Sequence, residues 1–369
     1  MGKGFDDLKR EVIDPGLCTR CGGCAASCPV QVLEFNSEGI ALSGDCIDCG
    51  TCLGICPGKG IDMTGHEKRL FSRSRKRDLG RGLGIYLDKE QLTSSNREIV
   101  KVGYYGGRVT SVLVAALEAG MIDAALLTQW AEDGSLSTGN GIIARTEEEV
   151  ISAASSKYVF SSVLTLLPKV REDATIENAA LVCLPCQVQA FRNMEAYPAT
   201  TSLTAKVGYL ISLNCGAPNM SEASWRKAAS DLVGTSPEQV TGLKYWKISS
   251  TKVRVEAALK DGGVRSKELN MAFFLKRVNK GPRWGRCDLC PDYSGELSDL
   301  TFGAPVIRTE RGRELLDNAK KMGMLKGSSF KKSVSQNVTD LYVCVSKKKR
   351  ARRNIRRRRK QGLPYPEYR

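Results

Sequence analysis

The chain has 369 residues, of which 41% are apolar, and this suits a globular protein of two or three domains. No apolar run reaches the length of a membrane span, and the first residues lack the apolar stretch of a signal peptide, so we expect a cytoplasmic protein. The formal net charge of +16 is uneven, because residues 347–360 contain eleven Lys or Arg and no acid. The rest of the chain is only mildly basic.

The cysteine and histidine content restricts the chemistry. Fourteen cysteines in a chain expected to be intracellular favour metal binding over a disulfide framework. The single histidine, His66, supplies neither a general base with an orienting partner nor a Cys–His nucleophile pair. It also excludes a mixed Cys/His zinc site of the usual kind. We therefore expect metal that is bound mainly by thiolates.

Residues 1–66 contain a cysteine repeat. Two runs of identical spacing, each followed by proline, occur there: Cys18, Cys21, Cys24 and Cys28, then Cys46, Cys49, Cys52 and Cys56. In such a run three cysteines bind one [4Fe–4S] cube and the fourth binds the neighbouring cube. The expected ligand sets are Cys18, Cys21 and Cys24 with Cys56, and Cys46, Cys49 and Cys52 with Cys28. Zinc is the alternative, but structural zinc sites use two Cys-x2-Cys pairs rather than two four-cysteine runs that end in Cys-Pro. We predict an α+β ferredoxin-like domain with two clusters.

Residues 67–78 are predicted to form a basic linker, and residues 79–345 alternate between helical and strand patterns. The predicted elements are a helix over 108–119, a strand over 124–128, a helix from 146 toward 156, a strand over 179–183, a helix over 186–194 and a strand over 207–213. Repeated strand–helix units favour a larger α/β domain with a mostly parallel sheet, whose ligand sites lie beyond the carboxyl ends of its strands. Cys186 and Cys215 both follow such strands.

A second group of cysteines lies in this larger zone. Cys287 and Cys290 form a lone Cys-x2-Cys, which suits half a zinc site or two packed small residues as well as a cluster. Cys186 stands at a strand–helix turn, where a helix N-terminus favours the thiolate form that a metal ligand needs. Spacing alone leaves these interpretations open. We expect Cys183 and Cys344 to be buried small hydrophobes.

Residues 80–323 resemble the beta subunits of coenzyme F420-reducing hydrogenases and F420-dependent dehydrogenases. The matching segments, in chain order, are 106–110, 118–123, 156–158, 184–190, Cys215, 287–290 and 293–299. The resemblance implies a flavoprotein that binds FAD, exchanges hydride with coenzyme F420 and holds a [4Fe–4S] cluster near the flavin. It implies that this third cluster is bound by Cys186, Cys215, Cys287 and Cys290.

The same resemblance implies which residues contact FAD: Gly106, Gly107, Thr110, Ser156, Lys157 and Tyr158. A glycine pair that opens a helix can present free N–H groups to a pyrophosphate. Considered without the family, the pair is a plain turn and Lys157 a solvated charge. No catalytic acid or base is expected, since hydride would pass directly between F420 and FAD.

The fused ferredoxin segment makes the chain look most like the F420H2-oxidising subunit of archaeal membrane F420H2:quinone or methanophenazine oxidoreductases, proteins of methanogenic electron transport. The expected function is an oxidoreductase that passes electrons from F420H2 through FAD and three [4Fe–4S] clusters to partner subunits. An alternative is an electron-transfer subunit of a soluble formate dehydrogenase or heterodisulfide reductase complex. More remote alternatives are a flavin-free electron relay and a cluster protein that binds nucleic acid.

Residues 346–369 form a predicted basic tail. Such a charge run is usually a solvated helix or a disordered end. The functional alternatives are docking to an acidic partner, peripheral contact with anionic lipid on the cytoplasmic face of the membrane, or attraction of the anionic F420. We expect no nucleic-acid partner, because the run lacks interleaved aromatic residues.

Overall fold

The computed structural model of the chain contains a large mixed sheet that is covered by helices on both faces. The residues that the structure describes are 4–36, 39–75, 82–103, 106–130, 138–155, 157, 160–161, 163–216, 222–248, 251–278, 285–303, 305–327 and 330–369.

The strands of the described residues are β1 (Leu33–Phe35), β2 (Ile40–Leu42), β3 (Gly60–Ile61), β4 (Asp88–Lys89), β5 (Leu92–Ser94), β6 (Ala124–Trp130), β7 (Thr138–Ala144), β8 (Phe160–Ser161), β9 (Ala179–Cys183), β10 (Val207–Leu213), β11 (Val240–Lys247), β12 (Lys252–Leu259), β13 (Val264–Asn270), β14 (Leu300–Phe302), β15 (Val306–Ile307), β16 (Leu325–Gly327) and β17 (Glu367–Tyr368). The α-helices are α1 (Phe5–Leu8), α2 (Gly23–Ser27), α3 (Thr51–Gly54), α4 (Met63–Phe71), α5 (Arg97–Val102), α6 (Arg108–Glu118), α7 (Glu147–Ser152), α8 (Leu167–Glu172), α9 (Pro185–Ala196), α10 (Thr201–Thr204), α11 (Glu222–Val233), α12 (Met271–Val278), α13 (Glu310–Lys321) and α14 (Phe330–Lys360).

The large sheet has the strand order β4-β15-β14-β10-β9-β6-β7-β8. Its four central strands, β14, β10, β9 and β6, are mutually parallel. Antiparallel pairing attaches β15 and β4 at one side and β7 at the other, so the sheet is mixed at its margins and parallel at its centre. Strands β7 and β8 also pair in parallel, so the predicted mostly parallel sheet is confirmed as a mixed sheet with a parallel centre.

The central strands are buried on both faces, as parallel strands usually are. In β9 the side chains of Ala179, Leu181 and Cys183 enter one core, and those of Ala180 and Val182 enter the core on the opposite face. The first core is covered by α8, α9 and the ferredoxin segment, and the second by α6 and α13. The sheet thus separates the cysteine-rich segment from the helix that follows the predicted glycine turn.

The predicted elements of this domain agree with the structure to within a few residues. The strands over 179–183 and 207–213 have the predicted bounds, and the helix predicted over 108–119 is α6. The helix that opens at the Thr146 capping box ends at Ser152 rather than near Ser156. It could not continue to Ser156, because Ser155 has a left-handed backbone (φ 80°), which a right-handed helix does not accommodate.

The ferredoxin segment packs directly on α9. A Cβ atom at Gly23 in α2 would lie 3.3 Å from the Cβ of Ala190, so the two helices approach closely. Asn193 donates from Nδ2 to the carbonyl of Ile55 at 3.1 Å. The contact buries Ile55 in the core on this face of the sheet.

The predicted basic tail is ordered and packed. Helix α14 crosses residue 345, the predicted end of the larger α/β domain, because the helical stripe of Cys344, Lys347 and Ala351 is buried against the body. After the helix, β17 pairs in parallel with β3 of the ferredoxin segment. Helix α4 likewise crosses the boundary predicted at residues 66–67. Among the described helices, none combines the length and the apolar character that crossing a membrane needs.

A smaller antiparallel sheet, β11-β12-β13, has its own core with α11 and α12. Tyr245 lies at its centre, with ring-centroid distances of 5.0 Å to Phe274 and 5.9 Å to Trp130 at the end of β6. None of the predicted site residues belongs to this unit.

Candidate functional site

The first predicted cysteine set lines one small cavity. Its walls include Cys18, Cys21, Cys24 and Cys56, together with apolar side chains from the first helical turns. Burial raises the pKa of Cys18 to about 11, and the charge of Cys21 adds to the increase. Burial also raises the pKa of Cys24, and the charges of Cys21, Cys56 and Cys18 raise it further. Buried thiols that oppose one another's ionisation fit a cationic iron centre, which stabilises the thiolate form.

The second predicted set lies nearer the surface. Burial raises the pKa of Cys52 to about 11, and the charges of Cys49, Cys46 and Cys28 contribute to the increase. These four thiols therefore also lie together. Cys49 is exposed, whereas Cys28 and Cys46 are partly exposed.

Each run of the repeat has a glycine before a short helix and receives a backbone hydrogen bond at one of its sulfurs. Gly22 and Gly50 occupy equivalent positions before α2 and α3, and both have left-handed backbones (φ 79° and 73°). Amides donate to sulfur at Arg20 N to Cys18 Sγ (3.3 Å) and Phe5 N to Cys46 Sγ (3.4 Å). Such bonds stabilise a charged sulfur ligand.

The third set comes from three separate places in the fold. Cys186 lies in the first turn of α9, and Cys215 lies two residues beyond β10. Cys287 lies within the 3-10 helix Gly285–Leu289, and Cys290 directly follows it. Burial raises the pKa of Cys186, and the charges of Cys21, Cys215, Cys290 and Cys287 raise it further. The structure therefore brings together the four cysteines that the resemblance implied.

Among the residues that the structure describes, no three Cys, His, Asp or Glu side chains are close enough to hold a single ion. A four-iron cube binds each thiolate at a different iron atom, so its ligands stand farther apart than those of a mononuclear site.

The first and third sets are neighbours. After burial, the largest contribution to the raised pKa of Cys186 comes from Cys21, which belongs to the first set. Arg286 lies between the two sets, since its charge acts on Cys18 and Cys21 and the charges of Cys287 and Cys290 act on it. The second set also adjoins the first, since the charge of Cys52 acts on Cys24. The first set is therefore a neighbour of both other sets.

Two buried cations in this region were missed by sequence reasoning. Arg286 is 2% exposed and donates from Nη2 to the carbonyl of Pro57 (2.9 Å) and to the hydroxyl of Tyr368 (2.7 Å). Its Nε and Nη1 have no hydrogen-bond partner among the described residues. Lys347, the first residue of the basic run, donates to the carbonyls of Cys215 (2.8 Å) and Asp292 (2.6 Å). The helical spacing of Lys347 from Cys344 and Ala351 was the available sign of its burial.

The predicted flavin contacts are only partly described. Gly106 and Gly107 both have left-handed backbones (φ 81° and 69°), and Gly107 is the N-cap of α6. A Cβ at Gly107 would lie 2.5 Å from the side chain of Ile99, so this position has no room for a larger residue. Thr110 is buried in the first turn of α6. Ser156 and Tyr158 lie outside the described residues.

Lys157 lies five residues beyond the end of α7 and folds back toward it. Its ammonium donates to the carbonyls of Ala153, Ala154 (2.9 Å) and Ser155 (3.2 Å), and burial lowers the pKa of Lys157 to about 7. Its side chain is therefore held by the helix terminus, which differs from the solvated charge that the residue alone suggested.

The glycine pair lies at the carboxyl edge of the central strands. Arg108 donates to the carbonyls of Leu92 and Gly303, and Gly303 directly follows β14. A Cβ at Gly303 would lie 1.8 Å from the Nδ2 of Asn214, which directly follows β10. Since Cys215 is next to Asn214, the start of α6 and the third cysteine set share this edge of the sheet.

The comparisons with known proteins agree with this arrangement. Residues 92–168 match the model of the coenzyme F420 hydrogenase/dehydrogenase beta subunit N-terminal part, and residues 176–333 match that of its C-terminal part. Residues 10–57 match a 4Fe-4S dicluster domain.

Three relatives are named as a hydrogenase subunit or a reductase. The coenzyme F420 hydrogenase subunit beta of Methanothermobacter thermautotrophicus is 26% identical, over 77% of this chain and 99% of the relative. The coenzyme F420-dependent sulfite reductase of Methanocaldococcus jannaschii is 25% identical, over 88% of this chain and 51% of the relative. The chloroplastic 7-hydroxymethyl chlorophyll a reductase of Oryza sativa subsp. japonica is 28% identical, over 75% of this chain and 58% of the relative.

A solved structure shares the fold. A chain of the xenon-derivatised F420-reducing [NiFe] hydrogenase complex from Methanosarcina barkeri superposes with a TM-score of 0.62 at 22% identity, covering 80% of this chain and 99% of that chain. The two family models together match more than half of the sequence. The chain therefore belongs to the coenzyme F420 hydrogenase/dehydrogenase beta subunit family, and it carries a 4Fe-4S dicluster domain at residues 10–57.

Proposed function

We propose that this protein is the electron-input subunit of a redox complex, which oxidises F420H2 with FAD and delivers single electrons to partner subunits through three [4Fe–4S] clusters. The observation that carries the proposal is the adjacency of the third thiol set to both the start of α6 and the first thiol set. When bound, FAD would accept a hydride and release single electrons, and the clusters would carry them.

The glycine pair and α6 would hold the pyrophosphate of the flavin. The first turn of a helix has N–H groups without intrahelical partners, and its dipole favours an anion. The left-handed backbones at Gly106 and Gly107 bring the chain sharply into α6 without a Cβ in the way. This use of the glycine pair remains a proposal, as do contacts from Ser156, Lys157 and Tyr158.

Hydride transfer between two ring systems needs positioning and exclusion of water more than acid–base catalysis. The single histidine supports this view. His66 is buried between Asn193 (3.0 Å) and Arg69 (3.1 Å) near the C-terminal end of α9, two turns from Cys186, and burial lowers its pKa. We therefore assign no catalytic role to His66.

The second thiol set is the proposed exit for electrons. Around it the surface carries Ile47, which is 58% exposed, and Leu42, with the exposed carboxylates of Asp45 and Asp48. A partner that docks there would present an apolar contact with a basic rim. An exposed cluster ligand at Cys49 shortens the distance to such a partner.

We favour a respiratory, membrane-associated complex on the cytoplasmic face as the destination, as the fused ferredoxin segment suggests. A soluble reductase complex is the second candidate. It is supported by the sulfite reductase relative, which matches a larger share of this chain than the hydrogenase subunit does. Copurification of the native chain with membranes, or with soluble subunits after cell lysis, separates the two.

The test of the proposed function is anaerobic mixing with F420H2. The purified protein, with its flavin and iron content measured, is expected to show flavin bleaching on addition of F420H2 and to reduce an artificial one-electron acceptor. Bleaching by NADH with none by F420H2 would overturn the substrate. Iron-replete protein without flavin would favour a simple electron relay instead.

A further inference from the structure

The first residue of the basic run has a different environment from the rest of the run. Lys347 is 3% exposed, whereas Lys349, Arg352, Arg353, Arg356 and Arg357 on the same helix are exposed. Charges in such runs normally stay in water, because burying an ammonium is costly unless it is paired. The burial of Lys347 therefore needs a counter-charge.

The hydrogen bonds of Lys347 direct its ammonium toward the third cysteine set. Its Nζ donates to the carbonyl of Cys215 at 2.8 Å and to that of Asp292 at 2.6 Å. Asp292 lies two residues after Cys290, whose thiol contacts the Asp292 carbonyl at 3.6 Å. The ammonium thus touches the two backbone segments that carry three of the four thiols.

Lys347 and Lys348 have different acidic neighbours. The acidic groups whose charges act on the Lys347 ammonium are the thiols of Cys290, Cys215 and Cys287 and the carboxyl of Asp292. Lys348, one residue along, has a separate partner in the buried carboxylate of Glu296, at 2.5 Å.

We infer that Lys347 is a built-in counter-ion of the third cluster, which α14 inserts beside the Cys215 and Cys287–Cys290 segments to favour the reduced cluster. This inference rests on the proposed function, since it assumes that a cluster is bound there. A fixed positive charge near a redox centre stabilises the form that has gained an electron. Lys347 acts on the cluster through its charge and its two carbonyl contacts, so it is a positioning residue rather than a catalytic one.

The inference predicts a shift in redox potential that does not depend on F420 or flavin. In Lys347→Met the third cluster is expected to be harder to reduce, with the ratio of reduced to oxidised cluster about tenfold lower at a fixed potential, or about 59 mV for one electron. The measurement is an anaerobic redox titration of the full chain with dithionite, followed by EPR. Signals that are missing in Cys186→Ala identify the third cluster.

Two variants make the test specific. Lys349→Met removes an exposed charge from the same helix and should leave all three potentials unchanged. Lys347→Arg keeps the charge and should keep the potential near that of the wild type. An unchanged third-cluster potential in iron-replete Lys347→Met, or an equal shift in Lys349→Met, would overturn the inference.

Loss of iron is also informative. If Lys347→Met loses only the third cluster while Lys347→Arg retains it, the charge is needed for the cluster and the inference is supported. If Lys347→Arg loses the cluster as well, the contribution of Lys347 is not its charge, and the inference is wrong. Absence of any signal difference between Cys186→Ala and the wild type would instead count against the third cluster of the proposed function.

Discussion

Cys183 and Cys186 are three positions apart in the sequence but have different environments. Cys183 is the last residue of β9 and belongs to the same buried core as Val188. Cys186 is the second residue of α9 and lies near thiols from three other segments. The chain changes from strand to helix between these two residues, so their side chains point in different directions.

This difference predicts opposite results for two alanine variants. Cys186→Ala should lose the third cluster, and so about four of about twelve irons. Cys183→Ala should keep all the iron and lose about 1 kcal/mol of stability, from the missing packing of one sulfur atom. Anaerobic iron analysis and thermal melting check both. Full iron in Cys186→Ala would remove that cysteine from the ligand set.

Much of the site was predictable at this scale. The eight cysteines of the repeat follow from spacing, because the ligand pattern of paired cubes is local. The third set has no local pattern, so it needed the family resemblance. Lys347 and Arg286 were missed because the burial of a charged side chain depends on distant segments, here the Cys215 loop and the ferredoxin segment.

The elements most in need of explanation are α14 and β17, since a basic run is usually solvated. Helix α14 is joined to the body by Glu296, which is buried and forms ion pairs with Lys348 and Arg75. Burial alone would raise the pKa of Glu296, but Lys348 and Arg75 lower it to about 2. The carboxylate thus connects α14 to the segment at Arg75, which precedes the large sheet.

Glu296→Gln should destabilise the protein by roughly 3 kcal/mol, because it removes the counter-charge of Lys348 and one of the two carboxylates, Glu67 and Glu296, that pair with Arg75. The folded-state pKa lies below the ordinary value of 4.5, so this contribution is complete above that value and is lost only as the pH falls toward 2. The difference in melting temperature between the wild type and Glu296→Gln should therefore be constant from pH 6 to pH 9. A difference that shrinks between pH 7 and pH 6 would indicate that another group is responsible.

Strand β17 offers a matched pair of glycine variants. A Cβ at Gly60 would lie 1.9 Å from the carbonyl oxygen of Glu367, whereas one at Gly39 meets nothing within 4 Å. The two glycines have similar positive φ values, 131° and 140°. Gly60→Ala should therefore displace β17, while Gly39→Ala introduces comparable backbone strain alone.

Hydrogen exchange measures this displacement. The amide of Thr64 donates to the carbonyl of Arg369 (3.1 Å), and the amide of Arg369 donates to that of Ile61 (3.1 Å). Exchange at these two amides should be about tenfold faster in Gly60→Ala, because local opening exposes them. It should be unchanged in Gly39→Ala. Equal protection in both variants would show that β17 is not held by this pairing.

The central elements were predictable from apolar periodicity, which the doubly buried strands and α6 follow closely. The short strands β4, β15 and β17 were not, because two-residue strands exist only through their partners. The packing of α14 was also missed. Its exposed face carries many cations, so the composition of the helix as a whole gives no sign of the narrow buried stripe.

On the scale of the whole molecule, the protein is basic but its proposed exit surface is acidic. Asp45 and Asp48 flank the exposed Ile47 beside the second thiol set. Their field would attract a basic partner to this surface although the net charge of +16 repels it elsewhere.

The double variant Asp45→Lys with Asp48→Lys should transfer electrons to cytochrome c, a basic one-electron probe, about tenfold more slowly at low salt. The measurement is stopped-flow mixing of dithionite-reduced protein with the oxidised probe. The gap should close at high salt, where charges are screened. The control, Glu238→Lys with Asp261→Lys, changes the same net charge on the smaller sheet. Equal slowing in the control would place the exit elsewhere.

The central claim is that three thiol sets hold three iron–sulfur cubes. The third set lies nearest the proposed flavin site at the start of α6, and the second set lies nearest solvent. Anomalous diffraction at the iron absorption edge, from crystals of anaerobically purified protein, tests it directly. The account predicts three separate groups of iron, one at each set, with the group at Cys186, Cys215, Cys287 and Cys290 beside that at Cys18, Cys21, Cys24 and Cys56. Single zinc ions in these places, or no iron at the third set, would contradict it.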